Sequence, residues 1–284
     1  MSTVLEREEY VEQAYFFRTF RERVADNLPS QEVLAILDQE ILSTTRLPMA
    51  VQFLATEMKH SGLLGTGFER LSHYFHPFQA FVVKQAEEEK LRFSMATALL
   101  VLEREATYRA GSPTKQGLFV YQFETICRNR LGYWDGLTAM SEDPFYDADW
   151  KAYLLMVGKE VGVVDFAQLV YYRSEHAVNE LRRRDRNFQS SVPMLFGEKE
   201  GKIAKASFGR DPLFLFAALQ RQLNYPEVPR AKIRDDASTK LEMMQTKLRE
   251  LEARLKLLES ETRGGPIDLS QLAKPDLLKD EDDQ

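Results

Sequence analysis

The chain has little cysteine and no long hydrophobic run. Cys127 is the only cysteine among 284 residues, so no disulfide can form within the chain. The densest apolar stretch, residues 95–102, is far shorter than the roughly 18 residues that a membrane-spanning helix needs. The first residues do not combine a basic region with an apolar run, as a secretory signal would. These absences predict a cytoplasmic protein without a membrane span.

The chain also lacks an excess of positive charge. Its 38 basic and 44 acidic side chains give a net charge of −6, which argues against a general binder of the nucleic-acid backbone. By contrast, 44% apolar and 11% aromatic residues are ample for a large hydrophobic core. We therefore expect a folded protein that does not bind nucleic acid.

No catalytic or cofactor motif is present at a useful strength. Gly197, Gly201 and Lys202 resemble a phosphate loop only superficially, because the glycine gap is one residue too short. Ile203 also stands where a hydroxyl should hold magnesium. No Gly-x-Ser-x-Gly elbow occurs, and Cys127 follows Ile126 in a helical apolar pattern that favours a buried thiol. We predict no cofactor and no catalytic residue.

Apolar side chains repeat at three- and four-residue steps along most of the first 181 residues, as in amphipathic helices. Proline, glycine and capping residues separate the segments. The predicted helices cover residues 3–28, 30–42, 48–61, 66–76, 77–108, 113–131, 150–156 and 165–181, and residues 132–149 are predicted to be irregular. The expected fold is mainly α, a multi-helix globular body.

The pattern changes after residue 188. Two short apolar runs, residues 194–196 and 203–206, flank a polar segment with two glycines, which predicts a small β-hairpin. Asp211 and Pro212 then have the order of a helix cap and first helical residue. The predicted organisation is a helical body (1–188), a hairpin with a short apolar helix packed on it (189–230), a linker and coiled-coil helix (231–264), and an acidic disordered tail (265–284).

The C-terminal helix carries a heptad repeat, the clearest signal in the chain. Apolar side chains fill the a and d positions of three heptads, and charged side chains at g and e are opposite in sign across a parallel pair. The residues are Leu241, Leu248 and Leu255 at a; Met244, Leu251 and Leu258 at d; Lys247 and Arg254 at g; Glu252 and Glu259 at e. We expect a homo-oligomer, with a dimer favoured over a trimer; the alternative is a helix that folds back on its own core.

A divalent metal site is conceivable at the end of the predicted fourth helix. Glu69, His73 and His76 follow one another at four- and three-residue steps, so their side chains could share one helix face. Pro77 disfavours helical geometry at His76, and no second carboxylate-histidine pair completes the site. Asp143, Asp147 and Asp149 lack the pattern of a calcium loop, so turn and cap roles are expected for them.

Two further segments are candidate binding elements. Arg182, Arg183, Arg184 and Arg186 end a predicted helix, where they either stabilise its terminus or form a site for an anion or an acidic peptide. The acidic tail carries five apolar side chains that could dock into a partner's groove, or the tail could simply be disordered and solubilising. These apolar residues are Ile267, Leu269, Leu272, Leu277 and Leu278.

Together these patterns favour a protein without chemistry of its own. The expected function is that of a scaffold or adaptor that self-associates through residues 238–262 and presents its body and tail to other proteins. The alternative is a helical enzyme or ligand-binding protein, because an aromatic-rich helical body could enclose a pocket, with a divalent metal at Glu69, His73 and His76.

Overall fold

The computed structural model describes residues 4–26, 28–88 and 93–230. Within these ranges the chain forms thirteen helices and no β-strand. In chain order they are α1 (Arg7–Ala25), α2 (Ser30–Glu40), α3 (Leu47–Ser61), α4 (Gly65–Arg70), α5 (Pro77–Glu87), α6 (Met95–Ala110), α7 (Lys115–Asn129), α8 (Tyr133–Ser141), α9 (Ala148–Glu160), α10 (Phe166–Tyr171), α11 (Glu175–Arg184), α12 (Glu198–Ala206) and α13 (Pro212–Leu223). The expected mainly α fold is confirmed.

The helices pack around a core rich in aromatic side chains. The longest helix, α1, packs most extensively on α6, and α2 packs on α3. Phe119 on α7 lies at the centre of an aromatic cluster, with its ring centroid 5.5 Å from that of Trp150 and 5.4 Å from that of Tyr153. Because aromatic rings bury large areas, this cluster joins the middle helices of the fold to one another.

The segment after α13 remains attached to the body up to Pro229. The Tyr225 hydroxyl donates a 2.7 Å hydrogen bond to a carboxylate oxygen of Glu124, and the Asn129 side-chain amide donates a 3.0 Å hydrogen bond to the Pro229 carbonyl. Val228 is buried. Residues 225–229 therefore belong to the body, and the predicted linker and coiled-coil helix (231–264) lie outside the described residues.

The predicted β-hairpin is wrong. Residues 198–206 instead form α12, which has two acidic residues in its first turn and Lys205 in its last turn, as the helix dipole favours. Glu200, Gly201 and Ala204 form its buried face. The preceding segment contributes only one isolated bridge, between Ser174 and Phe196. The two glycines that indicated a turn instead belong to α12: Gly197 is its N-cap residue and Gly201 is on its buried face.

Several other boundaries also differ from the predicted ones, because capping residues interrupt the apolar pattern. The predicted helix over 77–108 is two helices, and the side chain of Ser94 caps α6 by accepting a hydrogen bond from the Thr97 amide. Likewise the Ser174 side chain caps α11 and separates it from α10. The helix predicted to start at Pro113 starts at Lys115, capped by Thr114. Local hydrogen bonds thus decided where the helices begin.

The segment predicted to be irregular, residues 132–149, contains α8. Gly136, within this segment, lies on the buried face of the helix. A Cβ atom at this position would come within 2.5 Å of the Ile126 side chain and 3.1 Å of the Phe81 ring. The glycine therefore allows α8 to approach α5 and α7 closely. The predicted cap at Asp211 is confirmed, since its side chain accepts a hydrogen bond from the Leu213 amide and Pro212 begins α13.

Candidate functional site

Buried charged side chains meet at the centre of the fold. Glu105 and Arg109 on α6 lie one helical turn apart, and Arg109 also pairs with Asp143 in the connection between α8 and α9. The side chains of these three residues have exposed fractions of 0–2%. His76, at the start of α5, lies beside them with Nδ1 3.8 Å from Asp143 Oδ1. We call these four residues the buried ionic cluster.

Neutral polar side chains surround the buried ionic cluster. The Tyr10 hydroxyl on α1 lies 2.8 Å from Nε2 of His76. The Gln122 amide on α7 donates a 2.9 Å hydrogen bond to Glu105, and its carbonyl oxygen accepts one from the Tyr146 hydroxyl. The cluster therefore connects α1, α5, α6 and α7 with the segment between α8 and α9.

The burial of the cluster shifts the pKa values of its members. Desolvation, together with the Arg109 charge, lowers the pKa of His76 from 6.5 to about 4, so the imidazole is neutral at pH 7. Desolvation raises the pKa of Glu105 despite the Arg109 charge. Burial would also raise the pKa of Asp143, but the Arg109 charge and the other lowering contributions, among them hydrogen bonds from the Phe145 amide and from Arg109, together outweigh burial, and the pKa is lowered.

The buried ionic cluster is closed to solvent. None of its four residues lines either of the two surface grooves described below. A catalytic acid or base must come within hydrogen-bond reach of its substrate, and a side chain with 0–2% exposure has no such access in this conformation. The arrangement fits a structural role, in which Arg109 forms ion pairs with two carboxylates inside the core.

The structure does not bring Glu69, His73 and His76 together. Glu69 forms an ion pair with Lys84 at the surface, His73 is exposed, and His76 is fully buried against Tyr10. The reason is the break in helical geometry before Pro77, because α4 ends at Arg70 and His76 is the extended N-cap residue that precedes α5. In the described part of the chain, no group of three histidine, cysteine, aspartate or glutamate side chains is arranged to hold a metal ion.

The aspartates of the segment after α8 take turn and cap roles. Asp147 caps α9 by accepting a hydrogen bond from the Trp150 amide, and Asp149 lies in the first turn of the same helix. Asp143 accepts a 2.9 Å hydrogen bond from the Phe145 amide, as in an Asx turn. No pattern in the sequence indicated that Asp143 also pairs with Arg109 in the core.

The sequence did contain a pattern that indicates the burial of Arg109, the other member of that pair. Ala98, Leu102, Glu105 and Arg109 follow one another at steps of four, three and four, so they form one helical stripe, and all four are buried. Two charged residues in register with apolar ones indicate a buried ion pair on α6. No comparable pattern in the sequence indicated that Asp143, on a distant segment, is a partner of Arg109.

The first groove has an acidic rim and an aromatic wall; we call it the acidic groove. It has a volume of about 560 Å³ and lies between α4, α5 and α8. Its carboxylates belong to Glu69, Glu88, Asp135 and Glu142, and its aromatic side chains include Phe75, Phe81 and Trp134.

The second groove is mainly apolar; we call it the apolar groove. It has a volume of about 420 Å³ and lies between the end of α7, the residues that precede α10 and the start of α13. Phe123, Tyr133, Val161, Phe166, Leu213 and Phe216 contribute apolar surface to it. Asp165 and Asp211 also line it, but both cap helices. Tyr133 and Trp134, neighbours in the sequence, thus line different grooves.

The chain's only cysteine also lines the apolar groove. Burial, which outweighs a hydrogen bond with Tyr133, raises the pKa of Cys127 to about 12. A thiol with so high a pKa is a poor nucleophile at neutral pH. The thiol therefore contributes to the lining of the groove as a small apolar group, in line with the expectation from sequence.

No protein-family model, curated protein or solved structure matches the chain. No helix within the described ranges is long and apolar enough to cross a membrane. Function must therefore be argued from the chain's own surfaces.

Of the remaining predicted sites, the structure describes the arginine cluster but not the oligomerisation and tail residues. Arg182, Arg183, Arg184 and Arg186 are all exposed at or just beyond the end of α11, and Arg182 donates a 3.4 Å hydrogen bond to the Phe188 carbonyl. Their role as an anion site stays a prediction. The ten predicted oligomerisation residues between Leu241 and Glu259, and the five apolar tail residues between Ile267 and Leu278, lie outside the described residues.

Proposed function

We propose that the protein is a non-enzymatic scaffold or adaptor of the cytoplasm, which self-associates through the heptads of residues 238–262 and binds partner proteins with its body. The observation that carries the second part is the apolar groove and its exposed apolar rim. Val163, between α9 and α10, is 84% exposed, and Leu213 and Phe214 on α13 are 44% and 67% exposed. Val163 and Leu213 line the concave apolar surface, and Phe214 follows Leu213 on α13.

Clustered exposed apolar side chains at a groove are typical of protein interaction sites, because removing them from water stabilises a complex. A volume of about 420 Å³ is enough for a few apolar side chains of a partner's amphipathic helix, which would bury its apolar face in the groove. Asp165 and Asp211, which line the groove, cap helices, and Arg128 pairs with Glu124. These polar side chains therefore keep their partners within the chain when the groove is filled. We therefore assign an amphipathic helix of a partner protein to this groove.

A photo-crosslinking amino acid placed at Val163 in the full chain tests this assignment. In a native lysate we expect one defined partner to crosslink at Val163 and not at Met49, another highly exposed apolar position, on α3, that is 75% exposed. Leu213→Asp should abolish the crosslink while preserving the fold, because an aspartate in the first turn of α13 suits the helix dipole. Equal crosslinking at Val163 and Met49, or a crosslink that survives Leu213→Asp, would refute the assignment.

Self-association is tested separately by sedimentation equilibrium of the full chain. Leu248→Glu places a charge at an a position of the heptads, whereas Leu257→Glu makes the same change at a c position, away from the seam. We expect the wild type and Leu257→Glu to have twice the mass of one chain and Leu248→Glu to be a monomer. A monomeric wild type, or equal masses for the two variants, would contradict the coiled-coil part of the proposal.

A further inference from the structure

The acidic groove carries negative charge that the described residues do not neutralise. Of its four carboxylates, Glu69 pairs with Lys84, but Glu88, Asp135 and Glu142 form no ion pair within the part of the chain that the structure describes. All three are exposed. A concave surface with three such carboxylates concentrates negative potential, because the protein walls focus the field of the charges. A cationic group is the complementary occupant.

The wall of the same groove suits a cation with a flat or apolar body. Trp134 is 51% exposed, whereas the chain's other tryptophan, Trp150, is 3% exposed. The Trp134 ring lies against Gly158 on α9, where a Cβ atom would come within 3.1 Å of it, so packing positions the ring while half of the residue still faces solvent. A tryptophan face is the aromatic surface that attracts cations best.

One neutral polar group of the groove is also without a partner. The hydroxyl oxygen of Thr138, on the face of α8 that lines the groove, has no hydrogen-bond partner among the described residues. Thr138 lies one turn beyond Trp134, and Glu142, the C-cap residue of α8, lies one turn beyond Thr138. The aromatic ring, the hydroxyl and one carboxylate therefore follow one another along α8, at the spacing that places side chains on one face.

We propose that the acidic groove binds an arginine side chain of a partner protein, with the guanidinium group over the Trp134 ring and between the carboxylates of Asp135 and Glu142. Arginine fits better than lysine because its planar guanidinium stacks on aromatic faces and is more weakly hydrated. The half-exposed ring and exposed carboxylates indicate a side chain presented by a larger molecule, because free small ligands are usually held in sites that enclose most of their surface. The inference names a chemical feature of the partner and so rests on the proposed function.

Tryptophan fluorescence of the full chain tests the proposal directly, because Trp134 is the exposed tryptophan. The probe is the peptide acetyl-(Arg-Ala)3-amide, and the control peptide carries citrulline, a neutral analogue of nearly the same shape, at each arginine. We expect a saturable change in emission with the arginine peptide, and binding at least about tenfold weaker with the citrulline peptide, since the cation-π and ionic contacts both need the charge.

Two double variants with the same change in net charge locate the site. Asp135→Asn with Glu142→Gln should weaken binding of the arginine peptide by about tenfold or more, since charged hydrogen bonds to the guanidinium are lost. Asp149→Asn with Glu175→Gln removes two exposed acids that do not line the groove and should leave binding unchanged. Thermal unfolding monitored by circular dichroism verifies that both variants fold.

Several outcomes would overturn the proposal. These are no saturable response to the arginine peptide, equal binding of the citrulline peptide, or equal losses in the two double variants. Arginine amide that binds as tightly as the peptide would show that the groove takes a free cation and would reject the assignment to a partner protein. The Val163 crosslink tests the apolar groove independently of the peptide experiment. If no partner crosslinked at Val163 but the arginine peptide still bound, the proposed function would be refuted and the cation site of the acidic groove would stand.

Discussion

The Tyr10 hydroxyl and Nε2 of His76 lie 2.8 Å apart inside the core, joining α1 to the residue directly before α5. His76 is fully buried and Tyr10 nearly so. The contact brings together residues 66 positions apart in the chain. It places a histidine, the side chain that titrates nearest to neutral pH, where protonation is unfavourable.

Stability should therefore fall as the pH is lowered from 7 to 5. The folded-state pKa of His76, about 4, is below its unfolded value of 6.5, so the unfolded chain binds the proton first. The contribution of His76 is fully present above pH 6.5 and is lost as the pH falls toward 4. Between pH 7 and 5 we expect a loss of about 2 kcal/mol from this residue.

Urea unfolding at the two pH values measures the effect. His76→Gln should show a smaller difference in unfolding free energy between pH 7 and 5 than the wild type, by about 2 kcal/mol. His73→Gln, at an exposed histidine three residues away, should keep the wild-type difference. If both variants keep it, the pH dependence does not come from His76.

Removal of Arg109 should strongly destabilise the fold. Arg109→Met would leave Glu105 and Asp143 buried without their positive partner, which we expect to lower the free energy of unfolding by about 3–5 kcal/mol. Arg70, whose side chain is 65% exposed, pairs with Glu57 at 2.6 Å and provides the control. Arg70→Met should cost no more than about 1 kcal/mol, because solvent screens an exposed pair. Similar losses for the two variants, measured by chemical denaturation, would reject the structural role of the cluster.

Gly201→Ala should destabilise the protein although alanine favours helices. A Cβ atom at position 201 would come within 2.3 Å of the Ser174 hydroxyl oxygen and 2.6 Å of the His176 Cβ atom, so α12 would have to move away from the start of α11. We expect a loss of about 1–3 kcal/mol in the free energy of unfolding. Lys199→Ala, at an exposed position of the same helix, should change it by less than about 0.5 kcal/mol. A stabilised Gly201→Ala variant would contradict the packing of α12.

The Cys127 thiol should react slowly with a disulfide reagent at pH 8. A pKa of about 12 leaves far less thiolate than an ordinary cysteine has, so we expect a reaction about a thousandfold slower than that of a free thiol. Because the chain has only one cysteine, the absorbance of the released reagent reports this site alone. The same reaction in denaturant should be fast, and a fast reaction in the native protein would show that the thiol is not protected.

Much of the helical architecture could be predicted from the sequence, because local patterns encode it. The apolar period predicted α1, α2 and α3, and Asp211 with Pro212 marked the start of α13 correctly. These features depend on residues within a few positions of one another. The same kind of pattern predicted the coiled coil of residues 238–262, which stays a prediction.

The errors arose where a residue's role depends on contacts with distant segments. Gly136 lies in a segment predicted to be irregular and Gly201 in the predicted hairpin, but each is a helical residue that lets another element approach closely. Only the packing of α8 and α12 on their neighbours could show this. The low helix preference of glycine was outweighed there by tertiary contacts, which no local pattern records.

The candidate sites show the same division. The sequence by itself determined composition, charge, helical periodicity and the stripe that carries Glu105 and Arg109, because each is a property of the chain or of one helix. Only the tertiary structure decided that Asp143 meets Arg109, that His76 turns inward from Glu69 and His73, and that Tyr133 and Trp134 line separate grooves. The physical reason is that burial, pKa shifts and grooves arise between elements, where side chains from distant parts of the chain exclude water together.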